Sequence, residues 1–137
     1  AEHLDVGLDF ESIQGAGSLL GTGAIMVCDD TDCMVGVAHR LLRFYAHESC
    51  GKCTPCREGT WWVTRLLGRI ESGLGRAEDV PLLGEVGGNI LFKAFCALAD
   101  GAVSPISSTL KHFPEEYEAH VNGRGCTARP ATAGVSA

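Results

Sequence analysis

Apolar residues change their spacing along this chain. Over the first 34 residues they are dispersed: Leu8, Phe10 and Ile13 follow no helical period, and Gly15, Gly17, Gly21 and Gly23 interrupt the middle. One compact apolar run, Ala24-Ile25-Met26-Val27-Cys28, is bounded by glycine and by Asp29-Asp30, the pattern of a short buried strand. A strand is not stable by itself, so this segment predicts a sheet whose other strands are short or lie outside the chain.

From about Cys33 the period becomes helical. Ala38, Leu41, Leu42 and Tyr45 fall at i, i+3, i+4 and i+7, one apolar face of a helix running to about Ser49. Asp29, Asp30 and Asp32 sit before its start, where the helix dipole favours negative charge. A second helix is predicted from Thr54 as N-cap, with Pro55 at the first helical position, an apolar stripe of Val63, Leu66, Leu67 and Ile70, and Gly73 and Gly75 at its end. Leu82, Leu83, Val86 and Ile90 suggest a third helix over Glu78 to Ile90, weakened by three glycines. Ala99 to His112 reads as a fourth, with Ser104-Pro105 as a restart point, and Pro114 to Val121 as a short last helix. Asn122 to Ala137 is rich in Gly, Ala, Thr and Pro and reads as a flexible tail.

Composition narrows the functions available. Of 137 residues, 45% are apolar and 20% charged, which allows an ordinary soluble core. The net charge of −6 and the scattered basic residues argue against a nucleic-acid surface. No apolar stretch reaches the ~18 residues of a membrane span, and Ala1 onward has no basic-then-apolar leader. The glycines between Gly15 and Gly23 precede the strand-like run instead of following it, and their spacing is not that of a dinucleotide loop. No phosphate-cradling G-x-x-x-x-G-K-[ST] occurs.

Cysteine carries the chemistry. Cys50, Cys53 and Cys56 stand at two-residue intervals, and Cys96 follows after 39 intervening residues. The odd total of seven cysteines and the tight triplet suit metal ligation better than disulfides and point to a reducing compartment. A four-cysteine zinc site usually divides its ligands into two pairs. Here they divide three and one, which suits the four corners of a [4Fe–4S] cluster, for which C-x2-C-x2-C is a recurrent run. Cys56, just inside a helix start, meets free backbone N–H groups and the positive dipole end, and Lys52 and Arg57 add positive charge. Gly51 allows a tight turn around a metal. Cys28 and Cys33 read as small hydrophobes, Cys126 as an exposed thiol, His47 as solvated and Asp100 as a helix-start cap. No grouping suggests nucleophilic catalysis.

The run Glu48-Ser49-Cys50-Gly51-Lys52-Cys53-Thr54-Pro55-Cys56-Arg57-Glu58-Gly59-Thr60 closely resembles the cluster-binding segment of the NADH-binding flavoprotein subunits of respiratory complex I. Gly17 to Ile25, Cys96 to Ala102 and Lys111-His112-Phe113 fit the same family, and the resemblance covers roughly residues 4 to 121. It implies that Cys50, Cys53, Cys56 and Cys96 bind a [4Fe–4S] cluster that takes electrons from FMN reduced by NADH and passes them along an iron–sulfur chain toward quinone. It implies a mainly α fold: a four-helix-type bundle over residues 35–121, preceded at 1–34 by the last part of a β-grasp domain and followed by a flexible tail, 122–137.

The family's N-terminal domain, which holds FMN and NADH, has no counterpart here, so the chain looks like the C-terminal third of a longer subunit. Its expected partners are that missing portion and neighbouring iron–sulfur subunits, in the cytoplasmic, peripheral arm of a membrane-bound complex and without a membrane span of its own. Two other readings stay open: the same module in a diaphorase subunit of a soluble NAD-dependent hydrogenase or formate dehydrogenase, and a structural four-cysteine zinc module.

Overall fold

A computed structural model describes residues 3–124 and 126. Its elements are α1 (Phe10–Gly15), α2 (Met34–Glu48), α3 (Thr54–Glu71), α4 (Asp79–Ile90), α5 (Leu98–His112) and α6 (Pro114–Ala119), followed by a π-helical turn over His120–Arg124. Helices α2 to α5 form the bundle: α2 lies along α3, α3 along α4, and α5 packs on α2, α3 and α4.

The helical period explains which faces meet. Val35, Ala38 and Leu42 of α2 are buried against Val63, Leu67 and Ile70 of α3, Leu83 and Ile90 of α4, and Ala99, Ala102, Val103 and Ile106 of α5. Leu66 and Tyr45 are half-buried at the edge of this core, and Tyr117 of α6 closes it, whereas Leu41 is half-buried outside that cluster. Burying a leucine or isoleucine side chain is worth about 1.5–3 kcal/mol, so these four stripes supply the cohesion of the bundle. Two polar ties lock helix pairs. Arg69 of α3 holds the buried carboxylate of Asp79 with two guanidinium nitrogens, and the Arg76 backbone N–H donates to the same carboxylate at 2.8 Å. His39 of α2 pairs with Glu71 of α3.

Gly59 sets how closely α3 and α4 approach. A Cβ there would stand 2.5 Å from Ile90 Cγ1, so any side chain would force the buried Ile90 side chain to shift.

Several sequence expectations shift. Residues 1–34 were expected to lack helix, yet Phe10–Gly15 is helical, with the Asp9 side chain accepting from Ser12 N–H at 2.9 Å as N-cap. The expected strand Ala24–Cys28 does not form, and no strand occurs among the described residues. The run stays exposed, Val27 at 90%, because a strand needs a neighbour to satisfy its backbone groups and none is present among the described residues. Helix α3 is capped one residue earlier than expected, by Cys53, without a side-chain capping bond. The last helix ends at Ala119, and the chain continues through Asn122 to Arg124 in the π-turn where a flexible tail was expected. Apart from Cys126, the rest of the expected tail lies outside the described residues.

A cysteine-rich end of the bundle

The turn between α2 and α3 and the loop between α4 and α5 meet at one end of the bundle. Helix α2 stops at Glu48, and Ser49 caps it in an extended conformation. Gly51 then takes φ +78°, the left-handed region open to glycine. That turn brings Cys53 to the start of α3 and Cys56 to its third position, with the Cys56 side chain buried and Cys53 half-buried. Cys50 stays exposed.

The polar contacts of this turn converge on sulfur. Ser49 Oγ lies 3.3 Å from Cys56 Sγ, and Gly51 N–H donates to the same hydroxyl at 3.4 Å. The Arg57 guanidinium donates to the Gly51 carbonyl at 2.7 Å and to Glu58 at 2.8 Å, so it braces the turn. Lys52 is exposed.

The loop 91–97 arrives from the other side. Phe95 N–H donates to Cys53 Sγ at 3.5 Å, which brings the residue before Cys96 against the triplet across 42 positions of sequence. Cys96 itself is exposed. Phe92 adopts φ 57°, a conformation that is strained for a bulky residue, and its N–H donates to Asp100 Oδ1 at 2.7 Å. Asp100 thus ties the loop to the first turn of α5 instead of capping its own helix. Sequence reading missed Ser49, Phe95 and this use of Asp100. The one available signal was the position of Ser49 and Phe95 immediately before ligand-type cysteines.

The remaining cysteines, His47 and the exposed tryptophans lie elsewhere. His47 is exposed and pairs with Glu48 at 3.1 Å. Trp61 and Trp62 are half-exposed, with Arg65 over the Trp61 ring at 4.8 Å. Cys28 is exposed, and Cys33 caps α2, its sulfur accepting from Gly36 N–H at 3.4 Å. Cys126, expected as an exposed thiol, is half-buried.

Fold and site together define a helical bundle that presents a cysteine-rich turn and a cysteine-bearing loop at a common end. The chain belongs to the family described as the NADH-ubiquinone oxidoreductase-F iron-sulfur binding region, whose model matches residues 36–120. It is 57% identical over 130 residues to the NADH-quinone oxidoreductase F protein of Streptomyces coelicolor, an alignment covering 95% of this chain and 29% of that protein. It is 42% identical over 132 residues to the HndC component of the NADP-reducing hydrogenase of Solidesulfovibrio fructosivorans, covering 96% of this chain and 27% of the relative. Among solved structures, an NAD+-reducing [NiFe]-hydrogenase in the air-oxidized state matches with a TM-score of 0.67 at 32% identity, over 70% of this chain and 17% of that one. The chain therefore spans less than a third of the length of these curated relatives. Among the described residues, no helix is long and apolar enough to cross a membrane.

Proposed function

We propose that Cys50, Cys53, Cys56 and Cys96 hold a [4Fe–4S] cluster and that the chain is the electron-transfer portion of an NADH:quinone oxidoreductase. The observation that carries the reading is the Phe95 N–H to Cys53 Sγ contact, because it gathers the remote cysteine segment onto the triplet. Four thiols are the donor set that such a cluster requires. The positive end of α3 beside Cys56 and the Ser49 hydroxyl suit an anionic group there. When bound, the cluster supplies a one-electron carrier. The residues of this chain hold it at the bundle end, partly shielded on the Cys56 side and open on the Cys50 and Cys96 side.

The donor upstream is FMN reduced by NADH. We place both outside this chain, since it has no phosphate-cradling glycine motif, and the acceptors are neighbouring iron–sulfur proteins in the peripheral arm of the complex. Residues 1–34 fit the last part of a β-grasp domain whose remaining strands would pair with the exposed Ala24–Cys28 run. The hydrogenase relatives support the same module in a soluble diaphorase, but the higher identity to the quinone-linked relative favours the first reading.

Anaerobic reconstitution tests the ligand set. The wild-type chain should take up iron and sulfide with a brown charge-transfer spectrum, and Cys50→Ala, Cys53→Ala, Cys56→Ala or Cys96→Ala should lose it. Cys28→Ala and Cys33→Ala should keep their iron; loss in either would refute the assignment. The chain by itself should show no NADH:ferricyanide reductase activity, and measurable activity would place a flavin site on it.

A further inference from the structure

A second cluster of ligand-type side chains lies far from the cysteine-rich end. Cys33, His120 and Cys126 bring two sulfurs and a ring nitrogen within 4.8 Å of one another. Cys33 precedes α2 and Cys50 follows it. The 15-residue helix between them is about 22 Å long at 1.5 Å per residue, so the two cysteine groups are separate sites.

The histidine is arranged as a ligand. Its ring is buried, and Nδ1 lies 2.6 Å from the Glu116 carbonyl oxygen. A carbonyl only accepts, so Nδ1 carries a proton, and in the neutral ring Nε2 keeps its lone pair. Nε2 faces Cys33 Sγ at 3.5 Å. A metal-binding imidazole commonly donates its other N–H to a backbone carbonyl in this way, which fixes tautomer and ring orientation. A thiol-to-imidazole hydrogen bond alone would account for Cys33 and His120 but not for the convergence of Cys126, from beyond the π-turn. Short π-helical turns themselves recur at functional sites. The Cys33 sulfur also sits at the α2 N-terminus and accepts from Gly36 N–H, a setting that favours an anionic ligand.

We propose that Cys33, His120 and Cys126 bind a zinc ion that fastens the end of the helical region to the start of α2. Two thiolates and an imidazole suit a borderline-soft, tetrahedral ion. Each thiol releases its proton to solvent on binding, so two thiolates neutralise the dipositive ion. The fourth position falls to water. The contact would strengthen a junction already made by the Glu116 carboxylate, which accepts from Met34 N–H at 2.7 Å. The inference does not rest on the four-cysteine reading, because it concerns other residues and another metal.

The test uses the full chain, purified anaerobically with its iron in place and then exposed to zinc alone. Elemental analysis should find zinc stoichiometric with the chain in addition to iron. Cys126→Ser should lose the zinc and keep the iron. Cobalt(II) in place of zinc should give thiolate-to-metal absorption that vanishes in a Cys33→Ser, Cys126→Ser double variant; this reads ligation directly, even if His120→Gln proves too destabilised to purify. No zinc above background in the wild type, cobalt bands that persist in the double variant, or a Cys33–Cys126 disulfide in anaerobically prepared protein would each overturn the proposal.

Discussion

The bundle and the segment before it are made of similar residues and behave oppositely. From α2 onward each helix buries a stripe, and Val35, Leu42, Val63, Leu67, Ile70 and Leu83 are fully enclosed. Between His3 and Asp32 no described residue is buried, and Leu4, Leu8, Phe10, Leu19, Ile25, Met26 and Val27 are largely exposed. Apolar content is not what separates the two. The bundle has four elements whose faces meet, whereas the N-terminal segment has one short helix held by an Asp9 cap and turns held by Asp29. Local capping orders a turn but does not make a core. An exposed apolar surface of this extent is of the kind that a partner element covers, which is what the β-grasp proposal for residues 1–34 requires.

The largest expected effect tests that contrast directly. Leu42→Ala or Leu67→Ala should cost about 2–5 kcal/mol through lost transfer energy and a cavity. Ile25→Ala or Val27→Ala should stay within about 0.5 kcal/mol, as for surface changes. Chemical denaturation of the cluster-loaded chain measures both, and equal losses would erase the distinction. Limited proteolysis sharpens it: cuts should fall first before Cys33 while the bundle persists.

Next comes the tie between α3 and α4. Asp79→Asn removes one partner of the pair, and because Arg69 retains access to water the loss should be about 2 kcal/mol, below the roughly 3–5 kcal/mol of a fully buried pair. No comparable pair exists to lose among the described residues before Cys33. Gly59→Ala should cost roughly 1–2 kcal/mol by overpacking against Ile90. Because Ile90 leads into the loop 91–97, the variant should also retain less iron after gel filtration. Unchanged iron retention would show that the loop is positioned independently of α4.

The smallest effects are on pH, and the two regions should respond at opposite extremes. Burial pushes the Tyr117 hydroxyl up to about 12 from an ordinary 10.0, against the opposing hydrogen bond with Thr109. The raised group stays protonated in the fold while the unfolded chain ionises, so its contribution is intact below pH 10 and lost as pH rises toward 12. Tyr117→Phe should flatten that alkaline loss. In the N-terminal segment, the Ser12 backbone N–H holds Asp9, and the Thr31 hydroxyl holds Asp29, below the usual carboxylate value of 3.8. The order these groups confer is present above pH 3.8 and lost as pH falls below it. Amide chemical shifts of Ser12 and Thr31 should report it.

Much of the bundle was legible because burial and period coincide. Ala38 and Leu42, Val63 and Leu67, Leu83 and Ile90 repeat at helical spacing and are all enclosed. Where tertiary contacts decide, the sequence was less direct. Pro105 read as a restart, yet α5 runs through it, because Ala102, Val103 and Ile106 bury on both sides and offset the missing N–H. The α3 cap moved to Cys53 because the Gly51 turn, not a side-chain oxygen, sets where the helix begins. The cysteine triplet was visible as spacing alone. The approach of Phe95 and the meeting of Cys33 with His120 and Cys126 were not, since they join residues far apart in sequence.

The left-handed backbone of Phe92 has a kinetic consequence. A bulky residue in that region stores about 1–3 kcal/mol, and the Asp100 carboxylate and the Cys53 sulfur are what oppose its release. The triplet turn stores none, because its left-handed residue is Gly51. Opening fluctuations at this end should therefore begin in the loop 91–97, with the Phe92 and Phe95 amides exchanging with solvent before those of Cys56 and Arg57. That order would open the loop that carries Cys96 while the Gly51 turn bearing Cys50, Cys53 and Cys56 stays closed and the helices stay folded.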